Sequence, residues 1–72
     1  GRIAVLKEHR GKKVGAYLLR ELEQEAKKRG AQFSMLGAQL HAKGFYEKLG
    51  YQPFGEEFDD CGKMHIHMRK TL

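Results

Sequence analysis

The chain has 72 residues, a single cysteine, 40% apolar residues and a formal net charge of +5. A chain this short buries only about 60% of its unfolded surface, and the lone Cys61 excludes an internal disulfide as reinforcement. No run approaches ~18 apolar residues and no signal-peptide pattern opens the chain, which points to a soluble, cytoplasmic protein without a membrane partner.

Taken in order, Ile3-Ala4-Val5-Leu6 is apolar on both faces and predicts an interior strand over residues 2–6, parallel and covered on both sides. A chain that starts inside such a strand, without an initiator methionine, reads as part of something longer. His9-Arg10-Gly11-Lys12-Lys13-Val14-Gly15 then forms a glycine-bearing turn into a helix. The first backbone N–H groups of a helix lack internal partners and carry positive potential, so this junction suits an anion, phosphate above all. Gly11 and Gly15 let backbone approach a ligand, and Arg10, Lys12 and Lys13 add charge. Three residues separate Gly11 from Gly15 and Ala16-Tyr17 follow, which excludes a Walker loop, and the G-x-G-x-x-G dinucleotide spacing is missing too.

Val14, Leu18, Leu22 and Ala26 give an apolar stripe and predict a helix over residues 13–29, ended by Gly30 after Lys27, Lys28 and Arg29. Glu23 with Lys27 and Glu25 with Arg29 are i,i+4 pairs, so this part of the positive charge is a solvated helix face. A second strand over 31–37, parallel to the first across the helical crossover, makes a βαβ unit. A shorter helix over 41–49 follows, with Gly50 just past its end, and Tyr51-Gln52-Pro53-Phe54 reads as a short strand kept peripheral by its proline. Residues 55–62, with Glu56, Glu57, Asp59 and Asp60, read as an acidic loop. Residues 63–70 alternate, Met64, Ile66 and Met68 against His65, His67 and Arg69, which predicts a half-solvated antiparallel strand.

Two stretches carry a resemblance. Arg10, Gly11, Val14 and Gly15 fit the acyl-CoA-binding motif R/Q-x-x-G-x-G/A of GNAT-superfamily N-acetyltransferases, with Lys13 where a motif glycine would stand. Ala38-Gln39-Leu40-His41-Ala42-Lys43-Gly44-Phe45-Tyr46-Glu47-Lys48-Leu49-Gly50-Tyr51 resembles the family's N-x-x-A-x-x-F-Y-x-x-x-G-F segment, with Gln39 at the asparagine. The succession resembles the C-terminal half of a GNAT domain over nearly the whole chain. The resemblance implies an α/β fold, β-α-β-α-β-β with a mixed sheet, from which the N-terminal strands and helices of the fold are absent.

The resemblance further implies acetyl-CoA as co-substrate and direct transfer of its acetyl group to a primary amine of a small molecule or peptide. Arg10, Gly11, Lys12, Lys13, Val14 and Gly15 would hold the pyrophosphate, Val5 would align the pantetheine, Gln39 would contact the cofactor and Tyr46 would be the general acid. A phenol of ordinary pKa near 10 stays protonated at neutral pH and can donate to a departing thiolate. Without the resemblance, Tyr46 is a core aromatic between helix and sheet. No general base is assigned; His41, His65 and His67 qualify by type only and read as surface histidines beside a solvated strand face.

Asp59, Asp60, Cys61, His65 and His67 fall within nine residues but lack the spacing of a helical or C-x-x-C ligand pair, so no metal is expected. The open sheet edge is expected to be covered by the absent N-terminal half or by a second copy in a homodimer. Two rival classes are a small basic module using Lys7, Arg10, Lys12 and Lys13 on nucleic-acid phosphates, and a non-catalytic interaction domain of the same fold. Few aromatics accompany the basic residues and no nucleic-acid-binding signature is present, so nucleic acid is not the expected partner.

Overall fold

The computed structural model describes residues 2–6 and 15–72. The element order is strand β1 (Ile3–Val5), helix α1 (Gly15–Lys28), strand β2 (Phe33–Gln39), a 3-10 turn (Leu40–Ala42), helix α2 (Lys43–Lys48), strand β3 (Gln52–Asp60) and strand β4 (Lys63–Thr71). This is the expected β-α-β-α-β-β succession. The four strands form one mixed sheet in the order β1-β2-β4-β3. β1 runs parallel to β2, and β4 is antiparallel to both of its neighbours, β2 and β3.

Both helices end as the glycines dictate. At α1, Gly30 N–H donates to Lys27 O and Ala31 N–H to Ala26 O; at α2, Gly50 N–H donates to Glu47 O and Tyr51 N–H to Tyr46 O. Gly30 and Gly50 sit at φ 95° and 99°. These are paired C-terminal bonds that satisfy the last carbonyls, and they need a residue that tolerates the left-handed region.

Ser34, Leu36 and Ala38 of β2 face the helices together with Lys70, Met68 and Ile66, their partners on β4. The core on this face comprises Leu19, Leu36, Ala38, Tyr46, Tyr51 and Met68, with Leu6, Ala42, Leu49 and Ile66 packed against it. The intervening residues, Phe33, Met35, Gly37 and Gln39 with Arg69, His67 and His65, lie on the opposite face, which no helix among the described residues covers.

β1 is parallel as read; among the described residues it pairs with β2 alone, and Ile3 and Val5 are 59% and 70% exposed on the helix-free face. Several expectations need correction. The acidic stretch is not a loop. Gly55, at φ 75°, takes up a register shift between Phe54 and Phe58, after which β3 resumes and runs to Asp60. Cys61 and Gly62, at φ 55° and 82°, then make a two-residue turn whose twist matches a β-hairpin. Strand β4 is central, flanked by β2 and β3, and its helix-free face is not solvated throughout: His65 there is buried, as Met68 is on the helix side, while Arg69 is exposed. On α1 the buried positions are Leu19 and Glu23, so Glu23 faces the sheet instead of pairing in solvent with Lys27. Glu25 and Arg29 do pair, at 2.9 Å.

Candidate active site

The strand-to-helix junction is bounded on both sides by described residues. Leu6 N–H donates to Met35 O at 2.8 Å, just past the Val5–Met35 register pair, and β2 continues beyond that point to Gln39. Arg10, Gly11, Lys12, Lys13 and Val14 lie outside the described residues. Gly15 opens α1 at φ 32°, and no acidic residue stands in the helix's first turn to compete for its positive end.

The second motif leaves β2 through Gln39, which is buried, and turns through Leu40–Ala42 into α2. Tyr46 is buried in the core and meets the rings of Phe45 and Tyr51 edge-to-face, at centroid distances of 5.1 and 6.0 Å. Phe45 is more exposed, at 42%, and its ring tip covers Gly15: a Cβ built there would lie 3.4 Å from Phe45 Cζ. Two motifs distant in the chain therefore meet at the start of α1.

Next to Tyr46, a polar chain crosses the helix-facing core. Tyr51 Oη donates to Glu23 Oε2 at 2.6 Å, and Lys70 Nζ donates to Glu23 Oε1 at 2.9 Å. The single phenolic proton is committed to the carboxylate, so the Ser34 hydroxyl, 2.6 Å away, donates to Tyr51 Oη. Burial, and next the bond to Glu23, hold the Tyr51 hydroxyl well above the ordinary phenol range, against the opposing pull of Ser34. Tyr51 is thus a locked structural donor. Sequence reasoning missed this network because its members are scattered along the chain; an acid within an apolar helical stripe was the available signal.

On the helix-free face, β3 and β4 present a ladder of rings. His67 stacks on Phe54 and Phe58 with centroids 5.7 and 4.4 Å away, and Phe58 also stacks on His65 at 5.7 Å. The Arg69 guanidinium lies 5.4 Å from the Phe54 centroid. Gly37 makes room for the ladder, since a Cβ there would stand 3.3 Å from Phe58 Cζ and 4.0 Å from His67 Cδ2. His65, expected at the surface, is fully buried, with Nδ1 2.9 Å from Lys63 O and Nε2 4.0 Å from Asp60 Oδ2. His67 is partly buried and His41 exposed.

Among the described residues, no group of three or more His, Cys, Asp or Glu side chains is disposed to hold a metal ion, and no helix is long and apolar enough to cross a membrane. An open cleft of about 480 Å³ lined by Phe33, Gly50, Gln52, Arg69, Lys70 and Thr71 lies where β2 begins, away from Gln39 and Tyr46, and Gly50 is the one motif residue in its lining.

Comparison with known proteins agrees with this geometry. The family model described as "Acetyltransferase (GNAT) domain" matches residues 1–72. The chain is 44% identical over 70 residues to the uncharacterized N-acetyltransferase YjcF of Bacillus subtilis, covering 96% of this chain and 50% of the relative. It is 39% identical over 71 residues to YitI of the same organism, covering 97% and 48%. A crystal structure of an acyl-CoA N-acyltransferase from Pseudomonas aeruginosa superposes with a TM-score of 0.75 at 27% identity, over 85% of this chain and 42% of that one. The chain spans about half the length of the curated relatives it matches.

Proposed function

The chain belongs to the GNAT acetyltransferase family, and from that premise we propose that the protein carrying it transfers the acetyl group of acetyl-CoA to a primary amine by direct attack. The observation that carries this reading is the contact between Gly15 and Phe45, which joins the end of the anion-binding turn to the residue beside Tyr46. In this reading the backbone from Arg10 to Gly15 and the charges of Arg10, Lys12 and Lys13 hold the pyrophosphate at the N-terminus of α1. Val5 aligns the pantetheine along β1 and Gln39 contacts the co-substrate from the end of β2.

Tyr46 supplies the proton. Attack by the amine forms the C–N bond and breaks the thioester C–S bond, and the departing thiolate takes the Tyr46 hydroxyl proton. The locked state of Tyr51 supports giving that role to Tyr46, because the Tyr51 proton already serves Glu23.

Calorimetric and thermal-shift titration with acetyl-CoA, repeated on an Arg10→Ala, Gly15→Asp double variant, tests the binding half. Saturable stabilisation of about 2.7 kcal/mol at a hundredfold excess over Kd, lost in the variant, is expected; no stabilisation of the unaltered protein overturns the reading. Tyr46→Phe tests the acid. Turnover should fall about 10²-fold or more while acetyl-CoA affinity holds, and unchanged turnover removes Tyr46 from the chemistry.

A further inference from the structure

The reaction also needs a group that takes a proton from the amine, and we infer that His67 is that group, the general base for the acceptor; this rests on the acetyltransferase reading. An amine is protonated at neutral pH and cannot attack a thioester until it loses a proton. Imidazole is the side chain whose ordinary titration range spans neutrality.

Three observations single out His67. First, its register. His67 lies directly opposite Gly37 on β2, and the β1–β2 register runs to Val5–Met35, one same-face step earlier along β2. Val5, Met35, Gly37 and His67 therefore share the helix-free face, and His67 is across β2 from the end of the strand on which the pantetheine would lie. Tyr46 belongs to the helix-covered face. The amine adds to the thioester carbonyl and the thiolate leaves from the tetrahedral intermediate, so direct attack needs a base at the nitrogen and an acid at the sulfur, two separate positions that residues on the two faces can supply.

Second, its mounting. Phe54 and Phe58 stack on the imidazole with interplanar angles of 22° and 27°, which fixes the plane of the ring without using either nitrogen. Among the described residues His67 has no hydrogen bond or ion pair, whereas the neighbouring His65 is buried and holds Lys63 O through Nδ1. Third, the packing beneath it. Gly37 lets the Phe58 ring close onto β2 beside His67, since a Cβ there would stand 3.3 Å from Phe58 Cζ and 4.0 Å from His67 Cδ2.

Among the described residues, β4 contributes Lys63, His65 and Arg69 to this face and β3 contributes Asp60 next to His65, while Phe33, Met35, Gly37 and Gln39 of β2 carry no ionisable group. The proton balance closes. His67 takes one proton from the ammonium and passes it to solvent; the second leaves nitrogen after the C–N bond forms and replaces the one Tyr46 gave to the thiolate. One amide, one thiol and one released proton result.

The test uses the whole protein that carries this chain, with acetyl-CoA and two amine probes, n-butylamine and Nα-acetyl-lysine amide. In His67→Gln, kcat should fall about 10²-fold with the KM for acetyl-CoA unchanged, and the acidic limb of the kcat/KM profile should disappear. In His67→Gly, added imidazole should restore part of the lost rate. Full turnover with an unaltered pH profile in His67→Gln overturns the assignment, as does a loss accompanied by loss of acetyl-CoA binding, which marks a structural role. If the unaltered protein fails to bind acetyl-CoA, the acetyltransferase reading falls and the base with it; if it binds but acetylates neither probe, His67 as base for an amine acceptor is overturned while the cofactor site stands.

Discussion

On the helix-covered face of the sheet, Glu23, Ser34, Tyr51 and Lys70 are joined by hydrogen bonds of 2.6 to 2.9 Å. On the opposite face, Phe54, Phe58, His65 and His67 are joined by ring stacking at 4.4 to 5.7 Å. The two devices do different work. Directional bonds tie α1 to β2, to β4 and to Tyr51 beyond the end of α2, and they tolerate no missing member, because each buried polar atom left over carries its desolvation cost. Stacking fixes the plane of an imidazole and leaves its nitrogens to react. One face holds the architecture together, and the other keeps a titratable group accessible.

Removing one member from each face measures the contrast. Glu23→Ala strands the Lys70 ammonium and the Tyr51 hydroxyl, and should cost about 3 kcal/mol in urea unfolding, at the low end for a broken buried pair because Lys70 is 26% exposed. His67→Gln should cost less than about 1 kcal/mol, as expected for a ring that gives up stacking but no hydrogen bond. Equal losses would break the comparison.

Tyr51→Phe sharpens it. Losing the hydroxyl leaves Ser34 and Glu23 short of a partner, worth about 1.5 kcal/mol. It should also change the alkaline limit. The folded-state pKa of Tyr51 is raised, so its contribution is complete below the ordinary phenol value of 10.0 and is lost as pH rises beyond it toward the folded value. The unaltered protein should therefore lose stability above about pH 10 to a degree that the phenylalanine variant does not.

Smaller effects are expected elsewhere. Gly37→Ala puts a methyl 3.3 Å from the tip of Phe58, which should push that ring aside, shift the His67 ring resonances and cost about 1 kcal/mol. Glu25→Gln should leave the urea midpoint unchanged within error. Its carboxyl is held below the ordinary range chiefly by the hydrogen bond from Arg29, and what it adds is present above pH 4.5 and lost as pH falls through the lowered value. Both partners are exposed, so salt screens the pair.

What the sequence disclosed follows the same division. The helix ends at Gly30 and Gly50 and the Glu25–Arg29 pair depend on residues within one turn of each other, and the βαβ unit follows from element order and crossover length, so local spacing revealed them. Coverage is different. Alternation in β4 reports which residues share a face, not what packs over it, so His65, buried beneath Phe58, was read as a surface residue. The partners of Glu23 lie 28 and 47 residues away, beyond any local pattern. Of the candidate site, Gly15 and Tyr46 were legible through their motifs. His67 was not, because its mounting depends on a register shift that brings Phe58 opposite His65, within stacking distance of His67.

That register shift also settles how the sheet can grow. β3 presents an outer edge broken at Gly55, contains a proline that has no N–H to offer, and carries exposed Glu56, Glu57, Asp59 and Asp60. β1 presents short, regular backbone flanked by exposed Ile3 and Val5. In the language of assembly the sheet has one protected edge and one open one, so a further strand, from the same polypeptide or from another copy, is expected to join beside β1. A unit with one docking edge can be completed or closed into a pair, but it cannot propagate into a fibre.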